Sequence, residues 1–320
     1  MSNATVQAPG EPPLGSAGKP VKRATRRWRP NALTILSAIL AVVGLCVVIY
    51  PPASSWLSSY NQSQIIRDFS EQVESASPNA TEQLLSAHDY NDALSAGVRL
   101  DANTNVPTGA GVSSNSSLIY NKILSSGNSG IMARVRIPSI DVDLPIYHGT
   151  SDEVLLKGVG HLEGSHLPVG GDSTHSVLTA HRGLAQATMF SNLDRVAVGE
   201  TFTVEVFGEV LTYQVRETKV VEPEDTDTLL SVANKDLVTL VTCTPLGINT
   251  HRILVTGERV TPTPIKDIRD AGADPTIPGF PWWVVGFVGG LTLIGLYLWR
   301  AGYSDAKRQP AKKSRSRRRA

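Results

Sequence analysis

The stretch Thr239–Arg252, TLVTCTPLGINTHR, decides how the chain is read. Leu237 to Cys243 is short, apolar and β-branched, the texture of a strand. Pro245, Gly247 and Asn249 then mark a loop. Arg252 opens a second apolar run, RILVTG, nine residues after Cys243. Neighbouring antiparallel strands joined by this loop would bring Cys243 and Arg252 to one rim. Cys243 is one of two cysteines, and Cys46 sits in a long apolar run with no polar company. Two cysteines so placed do not make a disulfide framework. A lone strand-end thiol is either a packed core residue or a nucleophile, because the thiolate is strongly nucleophilic.

Working outward, the same texture begins at Ile131. Ala133–Ile137, Ser176–Ala180, Phe202–Phe207, Val210–Val215, Leu237–Cys243 and Arg252–Val255 are short β-branched runs separated by Pro and Gly. Phe207-Gly-Glu-Val210 reads as a hairpin around Gly208. Short strands with regular turn signals predict a mainly β sandwich or barrel over 131–260, enough chain for one domain. Upstream, residues 54–95 carry apolar residues at helical spacing. Ser77–Asn79 splits them into two helices, with Thr81 as N-cap and Glu82 in the first turn. Asp101–Ser117 reads as a loop, and Leu118–Leu124 as a short apolar or helical island. Residues 261–280, rich in Pro and acids, suit a stalk. No internal repeat is visible.

The formal net charge of +1 conceals an asymmetry. Six basic residues precede Asn31 against Glu11 alone, and nine follow from Arg300 against Asp305 alone. The body keeps 15 basic and 27 acidic residues, a net of −12. Each cationic end abuts an uncharged apolar run, Leu33–Tyr50 and Trp282–Trp299, long enough to cross a bilayer. Aromatic residues flank both runs, and the positive-inside rule puts both termini in the cytoplasm and the body outside. The first run is longer than the apolar region of a cleaved signal peptide, which favours an uncleaved anchor. Beside membrane spans, the basic tails serve topology and anionic lipid rather than nucleic acid.

His181 follows the apolar strand SVLTA and precedes Arg182-Gly183. A cysteine nucleophile needs a partner that takes and returns protons, and histidine titrates near neutral pH. An acyl-transfer intermediate needs a fixed donor to its oxyanion, which a guanidinium supplies. The other histidines show no cysteine or carboxylate clustering at metal-ligand spacing. HLEGSH (His161–His166) is the nearest approach to a zinc site. There is no GxGxxG or P-loop, so no cofactor and no metal are expected.

These words together resemble a family. TLVTC is similar to the TLxTC signature of sortases, the membrane-bound cysteine transpeptidases of Gram-positive bacteria. LPIYHGT (Leu144–Thr150), GVGHLEGSHLPVGG (Gly158–Gly171), THSVLTAHRG (Thr174–Gly183) and TLVTCTPLGINTHR look like class C sortases, the pilin polymerases. The resemblance covers about 131–260. It implies a sortase-type eight-stranded β-barrel with short helices, preceded by a helical and lid segment and flanked by two transmembrane helices. The implied order is a basic tail (1–30), an anchor (31–52), the helical and lid segment (53–130), the barrel (131–260), a stalk (261–280), a second span (281–300) and a basic tail (301–320).

The resemblance also implies a Cys243–His181–Arg252 triad. Its cysteine would attack the Thr–Gly carbonyl of an LPxTG-like sorting signal, and a lysine of the next pilin subunit would resolve the thioester into an isopeptide bond. The partners implied are pilin subunits and the cell membrane, with no nucleic acid. Two features depart from the family pattern. Its lid anchor is Asp-Pro-aromatic, whereas the loop LDANTNVPTGAGV (Leu100–Val112) offers Asp101 followed by Ala102 and no aromatic. Leu246 stands where the family often has Tyr. Two other readings are a sortase that anchors proteins to cell-wall peptide, and a non-catalytic membrane-anchored scaffold.

Overall fold

The computed structural model of the protein describes residues 28–74, 79–94, 119–125, 130–184, 187–275 and 277–308. The elements in chain order are α1 (Ala32–Glu74), α2 (Ala80–Ala93), β1 (Ile131–Ile137), β2 (Val142–His148), α3 (Asp152–Lys157), β3 (Val159–His161), β4 (Thr174–Thr179), β5 (Thr201–Val206), β6 (Glu209–Val221), β7 (Asp236–Thr244), β8 (His251–Arg259), α4 (Ile265–Arg269) and α5 (Trp282–Arg308). They divide into two compact units, Cys46–Phe287 and the two chain ends, Met1–Leu45 with Val288–Ala320.

The larger unit is built on a closed eight-stranded barrel in the order β1-β2-β3-β4-β7-β8-β6-β5. β2–β3 and β4–β7 pair in parallel, and the other pairs are antiparallel. The hairpin read at Gly208 is the β5–β6 turn. Val206 pairs with Glu209, and Phe207 and Gly208 both take positive φ, 45° and 89°. Two successive positive φ values match the right-handed twist of the flanking strands. Closure leaves no open sheet edge.

Alternation along β4, β7 and β8 sorts their side chains into two apolar layers. Leu178, Val238, Leu240, Ile253 and Val255 join the interior core with Val135, Ile146, Phe202 and Val204. Val177, Val241 and Leu254 face the other way and pack with Leu162 and Leu229. β7 is therefore buried on both faces, which explains its near-continuous apolar run. Burying each such side chain contributes about 1.5–3 kcal/mol.

Phe69, Ala87, Tyr90, Tyr120, Ile123 and Leu124 add the upstream helical elements to the interior core. α2 is clasped at two points. Gln83 Oε1 accepts from Leu124 N (2.8 Å), and Asn91 exchanges two hydrogen bonds with the Leu167 backbone (2.7 and 3.1 Å).

Several sequence expectations change. The apolar run and the helix after it are one helix, α1, which continues through Pro51 and Pro52. The N-cap of α2 is Asn79, not Thr81, because Asn79 Oδ1 accepts the Glu82 N–H at 3.0 Å and the helix starts at Ala80. β2 and β3 were not singled out as strands: β2 contains Pro145, and β3 has only three residues. Residues 261–280, expected as a stalk, carry α4 and dock on the barrel. Thr212 Oγ1 donates to Asp267 (2.7 Å), and Arg134 and Arg136 donate to the Ala273 and Asp270 carbonyls (2.9 and 3.0 Å). The loop Asp101–Ser117, with the lid candidate Asp101, lies outside the described residues.

In the smaller unit, Ser37 Oγ and Tyr297 OH share a hydrogen bond of 3.2 Å, and Arg29 N donates to Gly302 O (3.1 Å). A methyl group on Gly290 would stand 2.7 Å from Leu45 Cδ2, so glycine permits the close helix approach. α1 and α5 are each long and apolar enough to cross a membrane.

Candidate active site

β4, β7 and β8 lie side by side and carry the three residues singled out in the sequence. Cys243 on β7 pairs directly with Arg252 on β8. On the other side, β4 runs parallel to β7 with Thr179 opposite Val241, and Ala180 N continues the ladder to Val241 O at 3.1 Å. β4 ends at Thr179 and β7 runs on to Thr244, so His181, two residues past Thr179, lies at the same end of the sheet as Cys243. Strand alternation puts Val177, Thr179 and His181 on the same face as Thr239, Val241 and Cys243, and as Thr256, Leu254 and Arg252. The floor of this face is the outer apolar cluster. His181, Cys243 and Arg252 are thus gathered at one end of one sheet face, and Asp101 lies outside the described residues.

The flanking residues point the opposite way and tie the strands together. Thr242 Oγ1 donates to Ala180 O at 2.8 Å, and Arg182 Nη1 donates to Thr244 Oγ1 at 2.8 Å. His181 O accepts from Phe190 N at 3.1 Å. Gly183 takes φ +76°, and a Cβ there would meet Leu246 Cδ1 at 2.7 Å, so only glycine turns the chain away beneath the β7–β8 loop.

Cys243 is a free, partly buried thiol. Burial pushes the His181 imidazole below its ordinary value, and the nearby Asp152 carboxylate opposes this. Above the ordinary histidine pKa of about 6.5 the ring is therefore neutral and can receive a proton. Arg252 is buried. Its Nη1 donates to the Asn249 and His251 carbonyls (2.9 and 3.1 Å), which holds the guanidinium against the loop. Among the described residues its Nε and Nη2 have no protein acceptor, leaving donors for a substrate carbonyl.

Sequence reading missed a buried histidine network behind this face. His175 Nδ1 donates to Leu230 O (2.9 Å), so its Nε2 accepts from Thr239 Oγ1 (2.7 Å), which is bonded in turn to Thr256 Oγ1 (2.8 Å). His161 Nε2 lies 2.9 Å from the His166 carbonyl, which can only accept, so Nε2 carries the proton. Its Nδ1 lone pair then accepts from Tyr120 OH at 2.9 Å, and Tyr120 OH accepts from Gly149 N at 3.0 Å. Burial pulls the His161 pKa down to about 3. Both ring nitrogens of the HLEGSH histidine nearest a metal pattern are thus engaged by protein groups. Among the described residues no group of three or more His, Cys, Asp or Glu could hold a metal ion. The only signal for this network was the density of histidines between His148 and His181; their partners come from distant elements.

The comparisons with known proteins agree with this geometry. The sortase domain family model matches residues 135–260. Sortase D of Bacillus subtilis (strain 168) is 32% identical over 136 residues, covering 42% of this chain and 64% of that protein. The chain thus spans slightly under two thirds of that relative's length. The crystal structure of sortase C-1 from Actinomyces oris is 48% identical, with a TM-score of 0.52, and the match covers 57% of this chain and 99% of that one. Sortase C-1 from Streptococcus pneumoniae is 45% identical with a TM-score of 0.51, covering 57% of this chain and 90% of that one. With a closed eight-stranded barrel, a cysteine and an arginine paired across β7 and β8, and these likenesses, the chain belongs to the sortase family and groups with the class C sortases.

Proposed function

We propose that this protein is a cysteine transpeptidase that polymerises pilin subunits at the outer face of a Gram-positive cell membrane. The observation that carries the reading is the direct pairing of Cys243 with Arg252 across β7 and β8, with His181 following the end of the adjacent β4. The Cys243 thiol passes its proton to the neutral His181 imidazole as sulfur attacks the Thr carbonyl of an LPxTG-like sorting signal. Arg252 donates to the oxyanion. The Thr–Gly C–N bond breaks, His181 returns its proton to the leaving glycine amine, and a thioester remains on Cys243. A neutral lysine amine of the next pilin then attacks the thioester carbonyl. His181 takes the amine proton and passes it to the departing sulfur, leaving an isopeptide bond. No step calls for a cofactor.

Two apolar helices with basic flanks support a two-pass topology with both termini cytoplasmic and the barrel outside. In that arrangement 31–52 and 281–300 are the spans, 1–30 and 301–320 the cytoplasmic tails, and 53–280 the outer region. The similarity to a Streptococcus pneumoniae sortase C described for its pilin substrate specificity favours pilins over cell-wall peptide as the acceptor.

The test mixes the full chain in detergent with a pilin bearing a sorting signal and digests the product. Tandem mass spectrometry is expected to find a Thr carboxyl joined to a lysine Nε. Joining to a cell-wall peptide amine but never to pilin lysine would replace this reading with the anchoring one. No transfer to either acceptor would leave the scaffold reading.

A further inference from the structure

Arg182 is next to the candidate base, yet its side chain points away from it. The guanidinium is mostly buried, and all three of its nitrogens are used. Nε donates to Ser191 O at 3.3 Å, Nη1 donates to Thr244 Oγ1 at 2.8 Å, and Nη2 pairs with Asp194 Oδ2 at 2.9 Å. Its backbone neighbours are held by the same turn, since His181 O accepts from Phe190 N (3.1 Å) and Gly183 N donates to Ser191 Oγ (3.0 Å). The turn 188–195 therefore grips His181 from behind, and Arg182 carries that grip across to the residue after Cys243.

The partner contact on the other side has the same logic. Thr242, the residue before Cys243, bonds to the carbonyl of Ala180, the residue before His181 (2.8 Å). Each neighbour of the thiol is thus tied to the matching neighbour of the imidazole. The Thr242 tie sits directly at the end of the regular parallel pairing, whose last register pair is Thr179–Val241 and whose last backbone bond is Ala180 N to Val241 O. Thr244 lies three residues beyond Val241, so the Arg182–Thr244 bond is the outer of the two side-chain ties between these strand tips.

We propose that Arg182 is a positioning residue, which sets the spacing of His181 and Cys243 by bridging Thr244 to Asp194 and the Ser191 carbonyl. The inference rests on the transpeptidase reading for its effect on turnover, but its geometric claim stands apart from any substrate. A guanidinium suits the task because its planar fork reaches three acceptors at fixed angles; lysine offers a single ammonium. Misplacing a reacting group by about 1 Å can cost on the order of a hundredfold in rate.

The test uses Thr244→Val, which removes the acceptor at nearly constant shape, with Thr244→Ser as the conservative restoration and Arg182→Lys as a second probe. All are made in the full chain in detergent, and folding is checked by circular dichroism. Two readouts are taken. The first is cleavage of a sorting-signal peptide, where Thr244→Val and Arg182→Lys are expected to lower kcat at least tenfold with KM within about twofold, and Thr244→Ser to stay near wild type. The second is the pH profile of Cys243 alkylation by iodoacetamide. Wild type is expected to show a limb that His181→Ala removes. Thr244→Val is expected to lose that limb, and Thr244→Ser to keep it.

A folded Thr244→Val protein that matches wild type in both readouts overturns the inference, while the active wild type leaves the transpeptidase reading intact. A wild type that cleaves no sorting peptide, but whose alkylation limb is lost in Thr244→Val, overturns the function and upholds the positioning role. Loss of activity through a raised KM alone, with the alkylation limb unchanged, also overturns the inference.

Discussion

His161 is buried with both ring nitrogens committed to protein groups. Its pKa falls from the ordinary 6.5 to about 3, with burial as the principal cause. The unfolded chain therefore binds a proton at this site between pH 6.5 and about 3, and the folded chain does not. Stability rises with pH wherever the unfolded state holds more protons, by about 1.4 kcal/mol per unit for one proton. The contribution of His161 is complete above pH 6.5 and is lost as pH falls towards 3. At pH 5 the loss is about 2 kcal/mol, a large share of the roughly 5–15 kcal/mol that holds a typical domain folded. His161→Gln isolates the effect, because its amide can donate to His166 O and accept from Tyr120 OH but does not titrate. Urea unfolding of the full chain in mild detergent, at pH 8 and pH 5, is the assay. Wild type is expected to lose about 2 kcal/mol more than His161→Gln between the two. His148, His166 and His175, also lowered by burial, remain in both proteins, so the difference reports the removal of His161. Equal pH dependence in the two proteins would refute the buried, neutral His161 and the tautomer assigned to it.

Other perturbations follow from single contacts. Arg252→Lys keeps the charge but loses the planar guanidinium, whose Nη1 holds the Asn249 and His251 carbonyls and leaves its other nitrogens for substrate, and kcat for sorting-peptide cleavage is expected to fall on the order of a hundredfold. Arg134→Met strips the cation from Asp143, bonded at 2.6 and 2.7 Å, and from Glu205 at 3.3 Å. Removing the shared cation from these largely buried ion pairs is expected to destabilise the protein by about 3–5 kcal/mol in denaturant titration. Asn79→Ala removes the cap that accepts the Glu82 N–H, and a loss of about 1 kcal/mol is expected in the same titration.

What could be read from the sequence was what is local. Strand texture located β1 and β4–β8, because β-branched runs and Gly-Pro punctuation act over a few residues. Cys243 and Arg252 were legible as neighbours because one short loop joins their strands. β3 was not, since its three residues are shorter than any periodicity. The Asn79 cap was missed because Thr81 is an equally good capping residue, and only the helix start distinguishes them. Residues 261–280 read as a stalk from their Pro and acid content. The structure docks them because Arg134, Arg136 and Thr212 on distant strands present donors that composition cannot reveal. The bridge from Arg182 to Asp194 and Thr244 belongs to the same class, as does the histidine network. Each joins residues that only barrel closure makes neighbours.

The central claim is that Cys243 carries the acyl group between donor and acceptor. Intact-protein mass spectrometry of the full chain, incubated with a sorting-signal peptide and no amine acceptor, tests it most directly. The expected result is an adduct carrying the peptide up to its Thr, released by hydroxylamine, mapped to Cys243 and absent from Cys243→Ala. Peptide cleavage with no such adduct, or an adduct that survives in Cys243→Ala, would contradict it.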